Sequence, residues 1–123
     1  MAHVLYFSPI FESKALRLVY KGIAIGQYGH HLYTASNLEE SVRKLEENPI
    51  AIALLGLSNA DRRSLELLPN LEQIAPQIPV FICSKHLQKP ELMDILSNPV
   101  VKGYFQTMQE VFCSEEFKHP TPQ

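Results

Sequence analysis

Three side chains that can donate or accept a proton follow one apolar run in the second half of the chain. Cys83 and Ser84 stand at its end, and His86 lies two residues further on. A thiol or hydroxyl at a strand end becomes a nucleophile when a base, held by a third group, takes its proton. No acidic residue lies close in sequence to hold His86. We therefore interpret Cys83 as a small core residue and Ser84 as a loop hydroxyl, and we expect no catalytic residues.

Two adjacent histidines, His30 and His31, are the other group that could do chemistry, in this case by binding a metal ion. Neighbouring residues on a strand point to opposite faces of the sheet, so the two rings cannot easily share one ion. We interpret them as a surface pair where a loop enters a strand. The sequence predicts no metal site and no cofactor.

The composition is that of a soluble globular domain: 123 residues, of which 46% are hydrophobic and 20% charged. A net charge of −2 does not favour nucleic acid or an anionic membrane. Two cysteines, Cys83 and Cys113, are too few for a disulfide framework. No run reaches the roughly 20 apolar residues of a membrane span, and the N-terminus does not resemble a signal peptide. We expect a cytoplasmic protein with reduced thiols that binds neither nucleic acid nor a membrane.

The elements that position these residues alternate between strands and helices. The clearest is the segment 50–57, eight residues without a charged or polar side chain, which is typical of a strand buried on both faces. Shorter apolar runs predict four further strands at 4–7, 32–35, 80–83 and 100–105. Ligands of parallel α/β sheets bind outside the carboxyl ends of the strands. For the central strand, that end carries Gly56, which has no side-chain chemistry.

Helical patterns fill the gaps between the strands. The first helix is predicted to start at Ser8 and Pro9, with Ser8 as N-cap. Its apolar stripe is Phe11, Ala15, Leu18 and Val19, and glycines end it in the twenties. Residues 36–40 have the capping-box spacing that opens a second helix. Further helices are predicted around 67–74, from 90, and around 108–112.

The alternation predicts right-handed crossovers and a parallel sheet. We expect a three-layer, doubly wound α/β domain of five strands and five helices. The domain is expected to span residues 1–117, with 118–123 as a tail or the start of a linker, because two prolines follow His119.

Four segments then resemble one family. Residues 35–40 read Ala-Ser-Asn-Leu-Glu-Glu and residues 67–71 read Leu-Leu-Pro-Asn-Leu. Residues 78–82 read Ile-Pro-Val-Phe-Ile and residues 103–105 read Gly-Tyr-Phe. Together with the element order, they resemble the receiver domain of bacterial response regulators. The resemblance covers residues 4 to about 112 and implies the CheY-like, flavodoxin-like (βα)5 fold.

An active receiver carries two acids after the first strand, a phosphoacceptor aspartate after the third, a Ser or Thr after the fourth, and Lys-Pro after the fifth. These positions correspond here to Ser8, Pro9, Gly56, Ser84 and Thr107, with Met108 in place of the proline. Only Ser84 keeps the family's residue type. The resemblance therefore implies a degenerate receiver that lacks the Mg²⁺ ligands, the nucleophile and the cation. Asp61 could substitute only if 58–60 were strand, and Glu12 is predicted to lie inside the first helix.

Tyr104 keeps the aromatic residue of the last strand, which in the family reshapes the face of the fourth helix, fifth strand and fifth helix. We predict an interaction face made by Tyr104, Met108, Val111 and Phe112, unless the last three point into the core. The expected function is a phosphorylation-independent regulatory domain in two-component-type signalling or transcription control. It would act by protein–protein contact with an output domain, a kinase or a second copy as a homodimer.

Three alternatives stay open. A small anionic ligand of the nucleotide type could bind near Gly56, Ser84 and Lys85, because glycine leaves room where the family has an aspartate. Together with His86, Lys85, Lys89 and Lys102 could form a mildly basic rim near the carboxyl edge of the sheet. A receiver that is still phosphorylated is less favoured, and an enzyme would need a base within hydrogen-bond reach of Ser84 or Cys83.

Overall fold

A five-stranded parallel sheet forms the centre of the structure. The structure is a computed structural model and describes residues 1–58, 61–85 and 87–118. His86, and residues 119–123 of the expected tail, lie outside the described residues. The strands are β1 His3–Phe7, β2 His31–Ala35, β3 Ile52–Gly56, β4 Val80–Cys83 and β5 Val101–Phe105. Their order is β2-β1-β3-β4-β5, and every neighbouring pair is parallel. The chain adds β2 on one side of β1 and then β3, β4 and β5 on the other side. This reversal in the order of the strands is the feature of a doubly wound sheet.

Helices cover both faces of the sheet. They are α1 Lys14–Tyr28, α2 Leu38–Glu47, α3 Leu67–Ile74, α4 Lys89–Leu96, α5 Met108–Cys113 and α6 Glu115–Lys118, with 3₁₀ turns at Pro9–Glu12 and Arg63–Glu66. The buried side chains of α2, α3 and α4 form one core, and those of α1, α5 and α6 form the other. The predicted three-layer α/β architecture is confirmed.

The central strand is buried at all five positions, from Ile52 to Gly56. Its apolar side chains are shared between the two cores: Ala53 and Leu55 face α2 to α4, while Ile52 and Leu54 face α1 and α5. A strand in this position needs apolar residues on both faces, which is why the run carries no polar residue. Among the described residues, no helix is long and apolar enough to cross a membrane.

The first helix differs from its prediction in two respects. Ser8 and Pro9 open only a 3₁₀ turn, and α1 starts afresh at Lys14 with Ser13 as its N-cap. The helix continues past two glycines and ends at Gly29, whose left-handed φ of 71° suits glycine. The predicted apolar stripe was also placed wrongly. Leu18 and Val19 point to solvent, whereas Tyr20 and Ala24 pack on the sheet.

Candidate functional site

The carboxyl end of β3 is closed by its neighbours. A Cβ atom added to Gly56 would lie 2.7 Å from the Cβ of Ser8 and 3.0 Å from the Tyr6 ring. Real Cβ atoms essentially never approach other atoms so closely. Ser8 is itself buried, and its backbone N–H donates to the carbonyl of Ala35 at 3.0 Å. The space that the sequence left open at Gly56 is therefore filled by the Ser8 side chain, which corrects the expectation of room for a ligand.

The floor of this region is neutral. Tyr6 and Cys83 are buried beside Gly56 and share a hydrogen bond. Burial raises the pKa of the Cys83 thiol to about 12, and burial likewise raises the pKa of Tyr6 well above its ordinary value. Ser64, also buried, donates its hydroxyl to the Gly56 carbonyl at 2.8 Å. A thiol held protonated in this way is a poor nucleophile.

Two further positions from the sequence prediction lie at the same edge of the sheet. Ser84 is buried directly after β4, and its backbone N–H donates to the Phe105 carbonyl at 3.0 Å. Thr107 is the N-cap of α5: its hydroxyl accepts from the Glu110 N–H at 3.2 Å, and the Glu110 carboxylate accepts from the Thr107 N–H at 3.0 Å. Thr107 therefore has a structural role in this capping box.

Charged residues surround the closed edge, and the sequence did not predict how they pair. Arg63, in the turn after β3, donates to Glu12 at 2.8 Å and contacts the Asp61 carboxylate at 3.0 Å. Asp61 lies in a loop and is not strand, since the Ser58 N–H donates to its carbonyl at 3.0 Å. One guanidinium thus joins two acids from the segments that follow β1 and β3.

A second pair, Arg17 and Glu40, fastens α1 to α2 at the end of β2. The two side chains are bonded through both carboxylate oxygens, one of them at 2.9 Å. Glu40 also accepts from the Ser36 N–H at 2.9 Å. The hydrogen bond from Arg17 lowers the pKa of Glu40 to about 2. A third pair joins the loop after β3 to α4: Arg62 donates to the Glu91 carboxylate at 2.9 Å.

Comparison with known structures identifies the architecture. A two-component response regulator from Clostridium difficile superposes with a TM-score of 0.72 at 12% identity, covering 94% of this chain and 93% of that one. A response regulator receiver domain protein from Clostridium thermocellum gives 0.68 at 19% identity, covering 92% and 90%. A response regulator from Burkholderia pseudomallei, with a phosphorylated aspartic acid and a calcium ion, gives 0.70 at 9% identity, covering 96% and 69%. The chain has the receiver fold.

The likeness is one of fold, because each identity is below 20%. No family model matches the chain, and no curated protein matches it either. The fold agrees with the resemblance seen in the sequence and places Ser8, Gly56, Ser84 and Thr107 at the carboxyl edge of the sheet, where ligands of parallel α/β sheets bind.

The donor set at this edge does not fit the Mg²⁺ ion that the receiver family implies. Mg²⁺ needs hard oxygen ligands, usually including one or two carboxylates. Ser8, Pro9 and Gly56 supply none, and Glu12 and Asp61, in the segments that follow β1 and β3, are both bound by Arg63. Within residues 1–58, 61–85 and 87–118, no group of three or more metal-ligating side chains is found.

The predicted interaction face needs a correction. Met108, Val111 and Phe112 are only 1%, 0% and 2% exposed, because α5 turns this side toward α1 and the sheet. They are core residues of the receiver fold and cannot form a contact patch. Tyr104 is half-buried and packs beside α4, where Met93 is 62% exposed.

The basic rim is also not formed as expected. Lys85 lies exposed at the carboxyl edge, directly after Ser84. Lys102 is the second residue of β5, near the opposite edge, and its Nζ donates to the Pro99 carbonyl at 2.9 Å. The two lysines therefore lie at opposite ends of the sheet. Of the three predicted lysines, only Lys85 and Lys89, the first residue of α4, remain at the carboxyl edge.

The two histidines separate, as the strand geometry predicts. The His31 ring stacks on His3 with centroids 5.0 Å apart. His30 packs against Phe117, and its Nδ1 accepts from the Ala2 N–H at 3.0 Å. His30 is thus more than a surface residue, since burial lowers its pKa and the ring anchors the N-terminus to α6.

Proposed function

We propose that this chain is a receiver-fold regulatory domain that acts by protein–protein contact and is not switched by phosphorylation. The observation that carries the proposal is the contact between Ser8 and Gly56, which leaves no space for a phosphoacceptor side chain. Phosphoryl transfer also depends on positive charge at the transferred group. Thr107 stands where the family has a lysine and is engaged in a helix cap.

The charged loops support the same proposal. Arg63 binds Glu12 and Asp61 together, so a cation of the chain itself joins the segments after β1 and β3. The response regulator from Burkholderia pseudomallei is described with a phosphorylated aspartic acid and a calcium ion. In the present chain, the loops at this edge are held by internal ion pairs and hydrogen bonds, and we infer one constitutive conformation that needs no phosphoryl group.

The contact surface that we propose combines Tyr104 of β5 with the outer side of α4. Met93 and Leu96 are exposed on α4, and the half-buried Tyr104 lies on β5, the strand that α4 contacts. Exposed apolar side chains of this kind favour a protein partner. In two-component-type signalling or transcription control, that partner would be an output domain, a kinase or a second copy.

The test is an amide NMR titration with Mg²⁺ followed by beryllium fluoride, a mimic of the phosphoryl group. We expect no saturable shifts at the amides of Gly56, Ser84 and Thr107, and no mass increase after incubation with acetyl phosphate. Saturable shifts at those three amides that require Mg²⁺ would overturn the proposal. A nucleotide that shifts the same amides without Mg²⁺ would instead identify an anionic-ligand sensor.

A matched variant sharpens the titration. Arg63→Met frees Glu12 and Asp61 while leaving Ser8 against Gly56. If steric closure excludes the phosphoryl group, beryllium fluoride leaves this variant unchanged as well. Binding of beryllium fluoride by Arg63→Met would show that the site is only masked by a cation, which contradicts the proposal that it lacks the space.

A further inference from the structure

The outer side of α1 is apolar where a surface helix normally carries charges. Six residues at helical spacing form it: Ala15, Leu18, Val19, Gly22, Ile25 and Gly26, called here the α1 outer face. Leu18, Val19 and Ile25 are 72%, 52% and 46% exposed. The opposite side of the helix, with Tyr20 and Ala24, packs on the sheet. Apolar residues therefore lie on the side of α1 that faces away from the core, which marks a contact surface.

The two glycines make this surface accessible to another helix. A Cβ atom added at Gly22 or Gly26 would meet nothing within 4 Å, so the backbone of α1 is open to solvent at both positions. Glycine in a helix interior costs about 1 kcal/mol relative to alanine. Small residues let the backbones of two helices pack at short distance. Close packing by a second helix would explain why two glycines that destabilise α1 are present on this face.

We propose that α1 is a self-association surface, on which the α1 outer face of a second copy packs antiparallel about a two-fold axis near Gly22. In an isologous contact, residue i of one chain meets j of the other and j meets i. With Gly22 on the axis, Leu18 of one copy lies opposite Gly26 of the other, and Val19 lies opposite Ile25. Leu18 thus packs over a glycine of the other copy, and Val19 makes an apolar contact with Ile25. The α1 outer face is therefore complementary in shape to a second copy of itself.

Charge complementarity selects the antiparallel arrangement. Lys14, Lys21 and Tyr28 are seven residues apart and share one flank of α1, and Tyr28 packs on Phe112 of α5. That flank therefore faces α5 and α6, and Glu116 of α6 is exposed near the C-terminal end of α1. A perpendicular two-fold axis brings Lys14 of each copy to the end of α1 where the other copy carries Glu116. A parallel pair would bring the N-terminal ends of both α1 helices together and leave Lys14 of each copy far from Glu116 of the other.

The size of the face sets the strength of the contact. The 15 residues of α1 form a helix about 22 Å long. One pair of such helices buries much less area than the roughly 1,600 Å² in total of a stable interface. The dimer is therefore reversible, and its population rises with protein concentration. This association uses the side of the sheet opposite to α4 and does not depend on the proposed function.

Sedimentation equilibrium over a wide concentration range tests the proposal. We expect a monomer–dimer equilibrium in the parent chain and at least a tenfold weaker association for Leu18→Lys. Gly26→Leu keeps the face apolar but fills the place where Leu18 of the other copy packs, and we expect the same loss. Ile74→Lys, an equal change at an exposed residue of α3, is expected to leave association unchanged.

Disulfide trapping tests the geometry, in a Cys113→Ser background that leaves only the buried Cys83. Gly22→Cys lies on the axis and is expected to cross-link. Leu18→Cys is not, because two copies of residue 18 are about 12 Å apart along an antiparallel pair. Lys14→Glu is expected to weaken the dimer, and Glu116→Lys in the same chain is expected to restore it.

Several results would overturn the proposal. They are a monomer at every concentration, unchanged association in Gly26→Leu, loss of association in Ile74→Lys, and equal cross-linking of both cysteine variants. A monomer that sediments with vesicles of phosphatidylcholine and phosphatidylserine, and loses this binding in Leu18→Lys, would show a lipid surface as the occupant instead.

Discussion

The carboxyl edge of the sheet contains two regions that are built in opposite ways. The interior, defined here as Tyr6, Ser8, Gly56, Ser64 and Cys83, is buried and uncharged and is held by steric contact. The rim, formed by the pairs of Arg17, Arg62 and Arg63, is charged and partly exposed. Phosphoryl transfer depends on positive charge at the transferred group, and the interior of this edge carries none, which is the basis of the proposed function.

The difference shows which region can tolerate change. Interiors are close-packed, so one added atom is felt there. Ion pairs at a surface contribute little, because water screens them and ordering the side chains costs entropy. We therefore expect the energetic consequences of substitution to fall steeply from the interior to the rim.

The largest contrast concerns the two thiols. The Cys83 pKa of about 12 stands three units above its ordinary value of 9.0, so the thiolate fraction at neutral pH falls about a thousandfold. Iodoacetamide is expected to modify the exposed Cys113 much faster than the buried Cys83. Mass spectrometry of peptides measures both rates, and denaturant should make them similar. Comparable rates in the native protein would mean that the interior opens to solvent.

Restoring the family's aspartate tests the interior directly. Gly56→Asp places a Cβ atom 2.7 Å from Ser8 and a carboxyl group among buried neutral side chains. We expect a loss of about 2–6 kcal/mol in the free energy of unfolding, from roughly 1–3 for overpacking and roughly 1–3 for an unpaired polar group. Urea denaturation measures it.

The matched control for this substitution is a pair of alanine variants. Gly56→Ala should destabilise the fold, whereas Gly22→Ala, where nothing lies within 4 Å, should stabilise it by up to about 1 kcal/mol. Ser8→Gly in the Gly56→Ala background should recover part of the loss. If Gly56→Ala and Gly22→Ala had the same effect, Ser8 would not be closing the site.

Within the rim, the pair of Arg17 and Glu40 is the least exposed, and its loss is expected to cost less than a change in the interior. Arg17→Met leaves Glu40 without its cation, and we expect a loss of about 2 kcal/mol at neutral pH, as for other hydrogen bonds to charged groups. Because the folded pKa of Glu40 is lowered from 4.5 to about 2, the pair stabilises the fold above pH 4.5, and this contribution disappears as the pH falls toward 2.

Thermal melts from pH 7 to 2 measure this dependence. The difference in Tm between the parent chain and Arg17→Met is expected to shrink on acidification. Arg43→Met, the same substitution at an exposed arginine of α2, the helix that carries Glu40, should show no such trend. A difference that stays constant with pH would assign the effect of Arg17 to packing rather than to charge.

The sequence predicted the interior by composition but not by geometry. Apolar runs such as 50–57 identify buried strands. Glycine has no side chain in any fold, so the sequence alone indicates that position 56 carries no nucleophile. The closure by Ser8 could not be predicted, because it depends on how closely the ends of β1 and β3 approach. Periodicity likewise predicted a stripe on α1 without indicating which side faces the sheet, since residues on both sides are apolar.

The pairs of the rim were beyond sequence reasoning for a related reason. Arg63 and Glu12 are 51 positions apart, and only the parallel order of β1 and β3 brings their loops together. The one local signal was the spacing of residues 36–40. It identified the cap of α2, where Asn37 accepts from the Glu40 N–H at 2.8 Å, but not the arginine that the Glu40 carboxylate binds.

The smallest effect is expected at the exposed part of the rim. Arg63 and Glu12 have side chains that are 40% and 64% exposed, so Arg63→Met should leave the free energy of unfolding unchanged within experimental error. The loops should nevertheless respond, because this guanidinium is the link between Glu12 and Asp61. Amide hydrogen exchange is expected to accelerate around residues 9–13 and 61–63, and high salt should accelerate it in the parent chain too. Unchanged exchange would mean that the turn packing alone holds these loops, and the comparison would then rest on the interior.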